Sequence, residues 1–478
     1  NKMSYTLSPS INSNKVFILQ KSEIEKRLDP LYYYQNIFSF LKNSKHKVYS
    51  LREVVNYTIA GFGVGKEEQD LTETGYIQIR PTNVDEFGLL KFNRNIYLNR
   101  EYLTTKKSNI IQKNDILFNN TNSQELVGKT AFFNLDGIYF HSNHITRINV
   151  RDEKILPKFL WILLNIYQRK KIFYTICTNW NNQSGVGLEL LNSLKILVPE
   201  NEIQKRVIDI HEKALLQKQQ NEAEAEKLLT SIDDYLLKEL GIELPAQINN
   251  DLKSRIFTTQ LSEVSGNRFD PYYSQEIFKN NTQAILSGRY KAKPLFKIID
   301  GKLIKGTLPK QEEKDGTNKV VQINCIKNDG TILLEDLLTA KDIFTYEQKL
   351  NSGDVLIVIT GATIGKVAYW NYDGEYCLGG DIVKFKTNTL AESSFVFNYL
   401  RCITCQTEIK RYITGATNGH LSPEAVNSLL IPLPPRQKQK EIADHITQIR
   451  QQAQQLKDKT KEALAKANRE IEKIILGN

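Results

Sequence analysis

The sequence predicts an α+β protein built from one unit used twice: two tandem α+β domains separated by two long antiparallel coiled-coil helices. Three observations predict it. Short motifs recur at a period of about 240 residues, strand and helix patterns mix within each copy, and each copy ends in a heptad seam.

The repeat is the strongest of the three. Arg27-Leu28-Asp29-Pro30-Leu31-Tyr32-Tyr33 returns as Arg268-Phe269-Asp270-Pro271-Tyr272-Tyr273, and Gln78-Ile79 returns as Gln322-Ile323. Asp115-Ile116-Leu117 matches Asp354-Val355-Leu356, Gly128-Lys129 matches Gly365-Lys366, and Asp136-Gly137 matches Asp373-Gly374. Asn192-Ser193-Leu194 and Asn427-Ser428-Leu429 each lead to a proline (Pro199, Pro434) and then to a long polar helix. Seven matches in one order, at offsets between 235 and 244 residues, are hard to obtain by chance. The division they imply is a first domain over 1–199, a helical region over 200–245, a second domain over 246–434 and a second helical region over 435–478.

Within the domains, short β-type runs stand at Gly75 to Ile79, Ile116 to Asn119, Lys319 to Asn324 and Asp354 to Thr360. Turn signals punctuate them at Asp136-Gly137, Asp329-Gly330 and Asp373-Gly374. Helical patterns cover Leu156 to Thr175 and Ser393 to Ile413.

Each copy closes on a helix of about 40 residues, roughly 60 Å long at 1.5 Å per residue. The first seam runs Ile203, Val207, Ile210, Ala214, Gln217, Asn221, Ala225, Leu228, Ile232 and Tyr235. The second runs Ile442, Ile446, Ile449, Ala453, Leu456, Thr460, Ala463, Ala467, Glu470 and Ile474. No Pro or Gly interrupts either helix, and Gly241 and Gly477 stand where a helix end favours a left-handed residue. A lone helix cannot bury such a seam, so pairing of the two within the chain is expected.

Sixty-four Lys and Arg against 54 Asp and Glu give a net charge of +10, which favours contact with a polyanion. Five cysteines (177, 325, 377, 402 and 405) are too few and too odd for a disulfide framework and suggest a reducing, cytoplasmic setting. Cys402-x-x-Cys405 lacks a second pair at zinc spacing. No run of eighteen apolar residues suggests a membrane span, and residues 1–10 do not read as a signal peptide.

Ile431-Pro432-Leu433-Pro434-Pro435-Arg436-Gln437-Lys438-Gln439-Lys440-Glu441-Ile442, leading into a long helix, resembles the conserved region of specificity subunits of Type I restriction-modification systems. Ile196 to Lys205 is a looser version, and Thr360 to Val367 resembles a stretch common in their target-recognition domains. The resemblance covers essentially the whole chain. It implies a non-catalytic subunit in which each domain reads half of a bipartite, asymmetric double-stranded DNA target while the helices set the unread spacer. Two methyltransferase subunits would dock on the helical regions, here represented by Ile203, Val207, Ile210, Ile442, Ile446 and Ile449. Restriction subunits join in some such systems, and related Type II systems share the layout. The first region lacks the double proline, an asymmetry that two different methyltransferase subunits would fit. S-adenosylmethionine is expected in the partners, and no cofactor or metal in this chain.

The residues agree with that absence of chemistry. The Asn/Asp-Pro-Pro-aromatic loop of an amino-methyltransferase is missing. Gly61-Phe62-Gly63-Val64-Gly65 opens no helix, and Gly361 to Lys366 is one residue short of a phosphate loop, with Val367 in place of Ser or Thr. His141-x-x-His144 has no further ligand in place. A self-contained methyltransferase or nuclease, and a protein-binding coiled-coil scaffold, are the alternatives.

Reading DNA needs side chains at base edges. Asn119, Asn120, Asn122, Asn181, Asn182 and Gln183 offer amides suited to adenine in the first domain, with Lys129 beside them in the sequence. Thr360, Thr363, Lys366, Thr417, Asn418 and His420 hold the corresponding places in the second, with Lys302 and Lys305 in a basic loop that also includes Lys310. Arg27 and Arg268 are expected to pair with Asp29 and Asp270.

Overall fold

The computed structural model describes residues 44–180, 182–246, 256–260, 268–309, 316–341, 344–415 and 419–476, with a few single positions before residue 44. Arg27, Asp29, Asn181, Lys310, Thr417, Asn418 and Gly477 lie outside the described residues. The chain divides into two compact units, one of residues 1–220 with 459–478, the other of residues 221–458.

The first unit is built on a four-stranded antiparallel sheet in the order Val55–Ala60, Ile145–Val150, Ile116–Asn119, Thr130–Phe132. The central strand Ile116–Asn119 is buried throughout, because each of its faces supports a different core. Ile116 and Phe118 point into the main core under the helix Pro157–Arg169, while Leu117 points into a smaller one with Ile79 and Phe133. That alternation is the period-2 geometry of a strand covered on both sides. A second sheet orders Tyr97–Leu98, Tyr76–Ile79 and Tyr139–His141, with the last two parallel. Lys47–Ser50 pairs with Lys195–Val198 just before the long helix Asn201–Leu240.

The second unit repeats every step. Its four-stranded sheet orders Ile304–Lys305, Ile382–Phe385, Val355–Val358 and Val367–Tyr369. Val355 and Ile357 face one core, Leu356 and Val358 the other. The sheet Leu338–Ala340, Asn318–Val321, Tyr376–Leu378 again holds its last pair parallel. Ala292–Pro294 pairs with Leu430–Pro432 just before the long helix Arg436–Leu476.

The motif that opens each long helix has a structural reason. Gln204 Nε2 donates to the Pro199 carbonyl at 2.9 Å, and its Oε1 accepts from the Leu156 amide at 2.8 Å. Gln439 does the same with the Pro434 carbonyl and the Glu392 amide, both at 2.9 Å. Both glutamines are buried, so each fastens the first turn of its helix to its own globule.

Within each unit a segment of one long helix lies antiparallel to a segment of the other. Arg206 pairs with Glu470 in the first unit at 3.7 Å, and Val207 shares its core with Ile471 and Ile475. In the second, Lys438 pairs with Glu239 at 2.6 Å and Tyr235 packs on His445 at 4.3 Å. The expected seam slips by one residue in places. Gln217 and Glu470 are exposed, and Lys218 and Ile471 turn inward instead. A helix of 3.6 residues per turn drifts about 20° per heptad against a strict 3.5 repeat.

Two expected helices are each broken in two. Leu156 to Thr175 becomes Pro157–Arg169 and Ile172–Ile176, interrupted by Lys171 in the left-handed region at φ 59°. Ser393 to Ile413 becomes Ser393–Arg401 and Ile403–Tyr412, with Cys402 extended between them. Gly241 does close its helix, at φ +64°. Arg268 pairs with Asp270 at 2.6 Å, as expected. Among the described residues no helix is long and apolar enough to cross a membrane.

Candidate nucleic-acid interface

In each unit the central strand leads out to a rim of loops, where part of the candidate set gathers; Lys302 stands apart, since Ile304 pairs with Lys384 and the Asp300 amide donates to the Lys386 carbonyl, toward the opposite end of the sheet. In the first unit Asn120 follows the strand, and Thr121–Asn122 then pairs with Gln183–Gly185, which forms a hairpin with Thr178–Trp180. Segments some sixty residues apart in sequence therefore meet in one three-stranded sheet. The loop after Gly61 joins the rim through Asn143, whose amide donates to the Phe62 carbonyl at 3.1 Å. The second unit brings the same places together with less regular pairing. Thr360 bridges His420, which also bridges Thr414, and the Gly380 amide donates to the Thr307 carbonyl at 2.9 Å.

The candidates differ in what they can offer a ligand. Asn119 is fully buried, and its Nδ2 donates to the Leu126 carbonyl at 3.3 Å, so it supports the strand end and has no accessible face. Asn120 is half-buried and donates to the Asn143 carbonyl at 3.2 Å and to Thr146 Oγ1 at 2.9 Å, joining two rim loops. Asn122 caps the next turn through the Ser123 amide at 2.8 Å. Lys129 is half-buried at the end of the following turn. Asn182 and Gln183 are exposed at the hairpin tip, with Asn182 at φ 65°, a conformation asparagine tolerates better than most residues.

In the second unit Thr360 Oγ1 lies 3.3 Å from His420 Nδ1. Thr363 buries its hydroxyl without a partner among the described residues. Lys366 closes the turn between two strands, and its Nζ donates to the Ile326 carbonyl at 3.1 Å, so in this structure it serves the fold. Lys302 is exposed and 3.5 Å from Glu347, while Lys305 is exposed on the edge strand.

Of the proposed docking residues, Val207, Ile442 and Ile446 are fully buried and Ile449 nearly so, while Ile203 and Ile210 are half-buried. These side chains serve packing within the chain.

One residue of the rim escaped the sequence reading as an individual. Trp180, in the hairpin, is 47% exposed. The available signal was a lone tryptophan inside the polar run Thr178 to Ser184, where no apolar periodicity would bury it.

The chemistry-bearing groups elsewhere are structural. All five cysteines are buried and none is in a disulfide, and burial pushes the Cys402 thiol up to about 12. His141 is buried, its Nδ1–H donates to the Ile145 carbonyl at 3.0 Å, and burial holds it down at about 4. Among the described residues no group of three or more His, Cys, Asp or Glu could hold a metal ion.

The family model described as the Type I restriction modification DNA specificity domain matches residues 43–230 and again 289–466. The chain is 26% identical over 368 residues to the MjaX type I restriction enzyme specificity subunit named in Methanocaldococcus jannaschii, covering 76% of this chain and 77% of that one. It is 23% identical over 152 residues to the EcoKI specificity subunit of Escherichia coli, covering 30% of this chain and 33% of that one. Among solved structures, the S subunit of a Type I restriction-modification system from M. genitalium aligns at TM-score 0.46 and 13% identity, covering 91% of this chain and 96% of that one. The HsdS subunit from Thermoanaerobacter tengcongensis aligns at TM-score 0.35 and 16% identity, covering 90% and 96%.

Proposed function

The chain belongs to the Type I restriction modification DNA specificity domain family, whose domain it carries twice, and from that premise we propose how it selects its target. It is a non-catalytic DNA-specificity subunit that works with methyltransferase subunits, which carry the chemistry and the S-adenosylmethionine.

In our reading, domain 1–199 reads one half of a bipartite site and domain 246–434 reads the other. The helical regions 200–245 and 435–478 serve the unread spacer and present their outward faces to two methyltransferase subunits, identical or different. Restriction subunits would join that core, and the complex would work in the cytoplasm. The reading edges are the two rims, with Asn182, Gln183 and the exposed part of the Asn120–Asn122 turn on the first. On the second they are Thr360, Thr414 and His420, with Thr417 and Asn418 assigned by sequence alone, and Lys302 and Lys305 add basic side chains near the edge strand. Asn181 belongs to the first tip by sequence.

The observation that carries this reading is that one rim geometry recurs on the same strand end in both units with different side chains. Thr178 to Gly185 stands in the first where Thr414 to His420 stands in the second. A shared frame with unlike tips suits two unlike half-sites, since frame contacts position a protein and edge contacts specify sequence.

The test is methylome sequencing of cells expressing the neighbouring methyltransferase gene with and without this chain. The expected result is an asymmetric bipartite methylated motif that vanishes without it. A methylome unchanged by its removal would overturn the reading.

A further inference from the structure

Three tryptophans occur in the chain, and only one meets solvent. Trp161 and Trp370 are 4% and 0% exposed, while Trp180 is 47% exposed. A tryptophan serving stability alone would bury its ring. Trp180 instead stands in a hairpin braced from its other side. Ser184 Oγ donates to Asn179 Oδ1 at 2.6 Å, Cys177 Sγ donates to the same oxygen at 3.4 Å, and Gln183–Gly185 is tied to Thr121–Asn122.

The ring has a seat. It lies across Gly185 on the opposite strand, where a Cβ would stand 2.3 Å from the far edge of the indole. One part of the ring is therefore held against backbone and the rest is open to solvent. Beside it are two exposed amides, Asn182 and Gln183. A rigid apolar plate with flanking amides matches the thymine–adenine pair in the major groove, which presents a methyl group on one base and an acceptor–donor edge on the other.

We propose that Trp180 is a specificity-determining contact of the first unit, packing its open ring on the thymine methyl of an A·T pair while Asn182 and Gln183 address neighbouring adenine edges. This rests on the DNA-reading function proposed above. Thr414 to His420 of the second unit contains no Trp, Tyr or Phe, so the contact belongs to one half-site only.

The experiment uses the complex reconstituted with its methyltransferase subunits and a panel of targets substituted at each base pair of both half-sites. Trp180→Ala is expected to lower methylation of the intact target tenfold or more and to flatten the preference at one A·T position of the first half-site. Preferences in the second half-site should stay as in the parent, and Trp180→Phe should keep most of the parent's selectivity. A Trp180→Ala complex with parental preference at every position overturns the inference. A parent complex with no preference in the first half-site overturns the reading of that unit itself.

A second measurement avoids dependence on the folding of the alanine variant. The chain is labelled with 5-fluorotryptophan, and the Trp180 line is assigned by its loss in Trp180→Phe. That line should shift with target DNA and not with a duplex whose first half-site is scrambled. A line indifferent to both overturns the inference.

Discussion

Lys384 donates to Asp354 at 2.8 Å with both side chains buried, 7% and 3% exposed. The first unit has the same device in Arg147 and Asp115, at 3.4 Å. Asp354 also accepts from the Asn351 amide, as Asp115 does from the Gln112 amide. Lys384 also donates to the Lys349 carbonyl, as Arg147 does to that of Ile110. Desolvation offsets much of the attraction in such a pair, but deleting one partner strands the other charge. Lys384→Met should destabilise the second unit by about 3–5 kcal/mol, and adding Asp354→Asn should recover part of that loss. Denaturant unfolding measures both; a double variant no better than the single one would show the pair to be uncoupled.

Gln439 satisfies the Glu392 amide and the Pro434 carbonyl from a buried position. Gln439→Ala would leave both short of a partner, at about 1–3 kcal/mol for each buried group stranded. The first turn of the second long helix should then exchange its amides faster. Unchanged protection there would refute the fastening role.

Burial pushes the Glu408 carboxyl up to about 8, against an ordinary 4.5, although its Oε2 accepts from the Leu430 amide and Arg411 lies near. Between those two values the folded chain holds a proton that the unfolded chain releases, so stability falls as pH rises through the window. Glu408→Gln should relieve this. Its unfolding free energy relative to the parent should rise from pH 5 to pH 8, by an amount on the order of a few kcal/mol. A difference independent of pH would refute the assignment.

His141 and His211 behave oppositely. Burial holds each at about 4 against an ordinary 6.5; Arg147 adds to this at His141 and Arg169 at His211, which packs edge-on against Trp161 at 4.8 Å. The unfolded chain binds protons first, so their contribution is present above pH 6.5 and lost as pH falls toward 4. Both lie in the first unit. Hydrogen exchange at pH 7.5 and pH 5, corrected for intrinsic rates, should show that unit losing protection on acidification. Equal protection at both values would contradict the buried neutral histidines.

Gly185 is a sharper probe of the hairpin than Trp180. A methyl group there meets the far end of the Trp180 ring at 2.3 Å and, more tightly than usual, the Asn120 carbonyl at 3.3 Å, so Gly185→Ala should cost about 1 kcal/mol. It should nevertheless unseat Trp180, raising its quenching by iodide. Parental quenching would mean that the ring does not rest on Gly185.

The duplication and the two long helices were legible in the sequence. They rest on local signals: repeated turn dipeptides, strand runs such as Ile116 to Asn119, and a proline followed by an uninterrupted seam. The slips at Gln217 and Glu470 were not legible, because the drift of a 3.6-residue helix against a heptad accumulates slowly and is decided by what packs alongside. Nor were the helix breaks at Lys171 and Cys402, where neither Pro nor Gly announces a turn and the packing of the unit sets the backbone.

The distinction between a side chain that serves the fold and one that could serve a ligand also required the structure. Asn119 and Asn182 are the same residue in similar polar runs, yet one is sealed at a strand end and the other stands exposed at a hairpin tip. Lys366 reads as a phosphate contact until its ammonium is found on the Ile326 carbonyl. By itself the sequence determined the two-copy architecture and the kind of protein, since these depend on periodicity and motif order along the chain. Tertiary structure alone decided which polar groups are already satisfied, because the partner is set by how the chain folds back, from seven residues away for Asn119 to forty for Lys366.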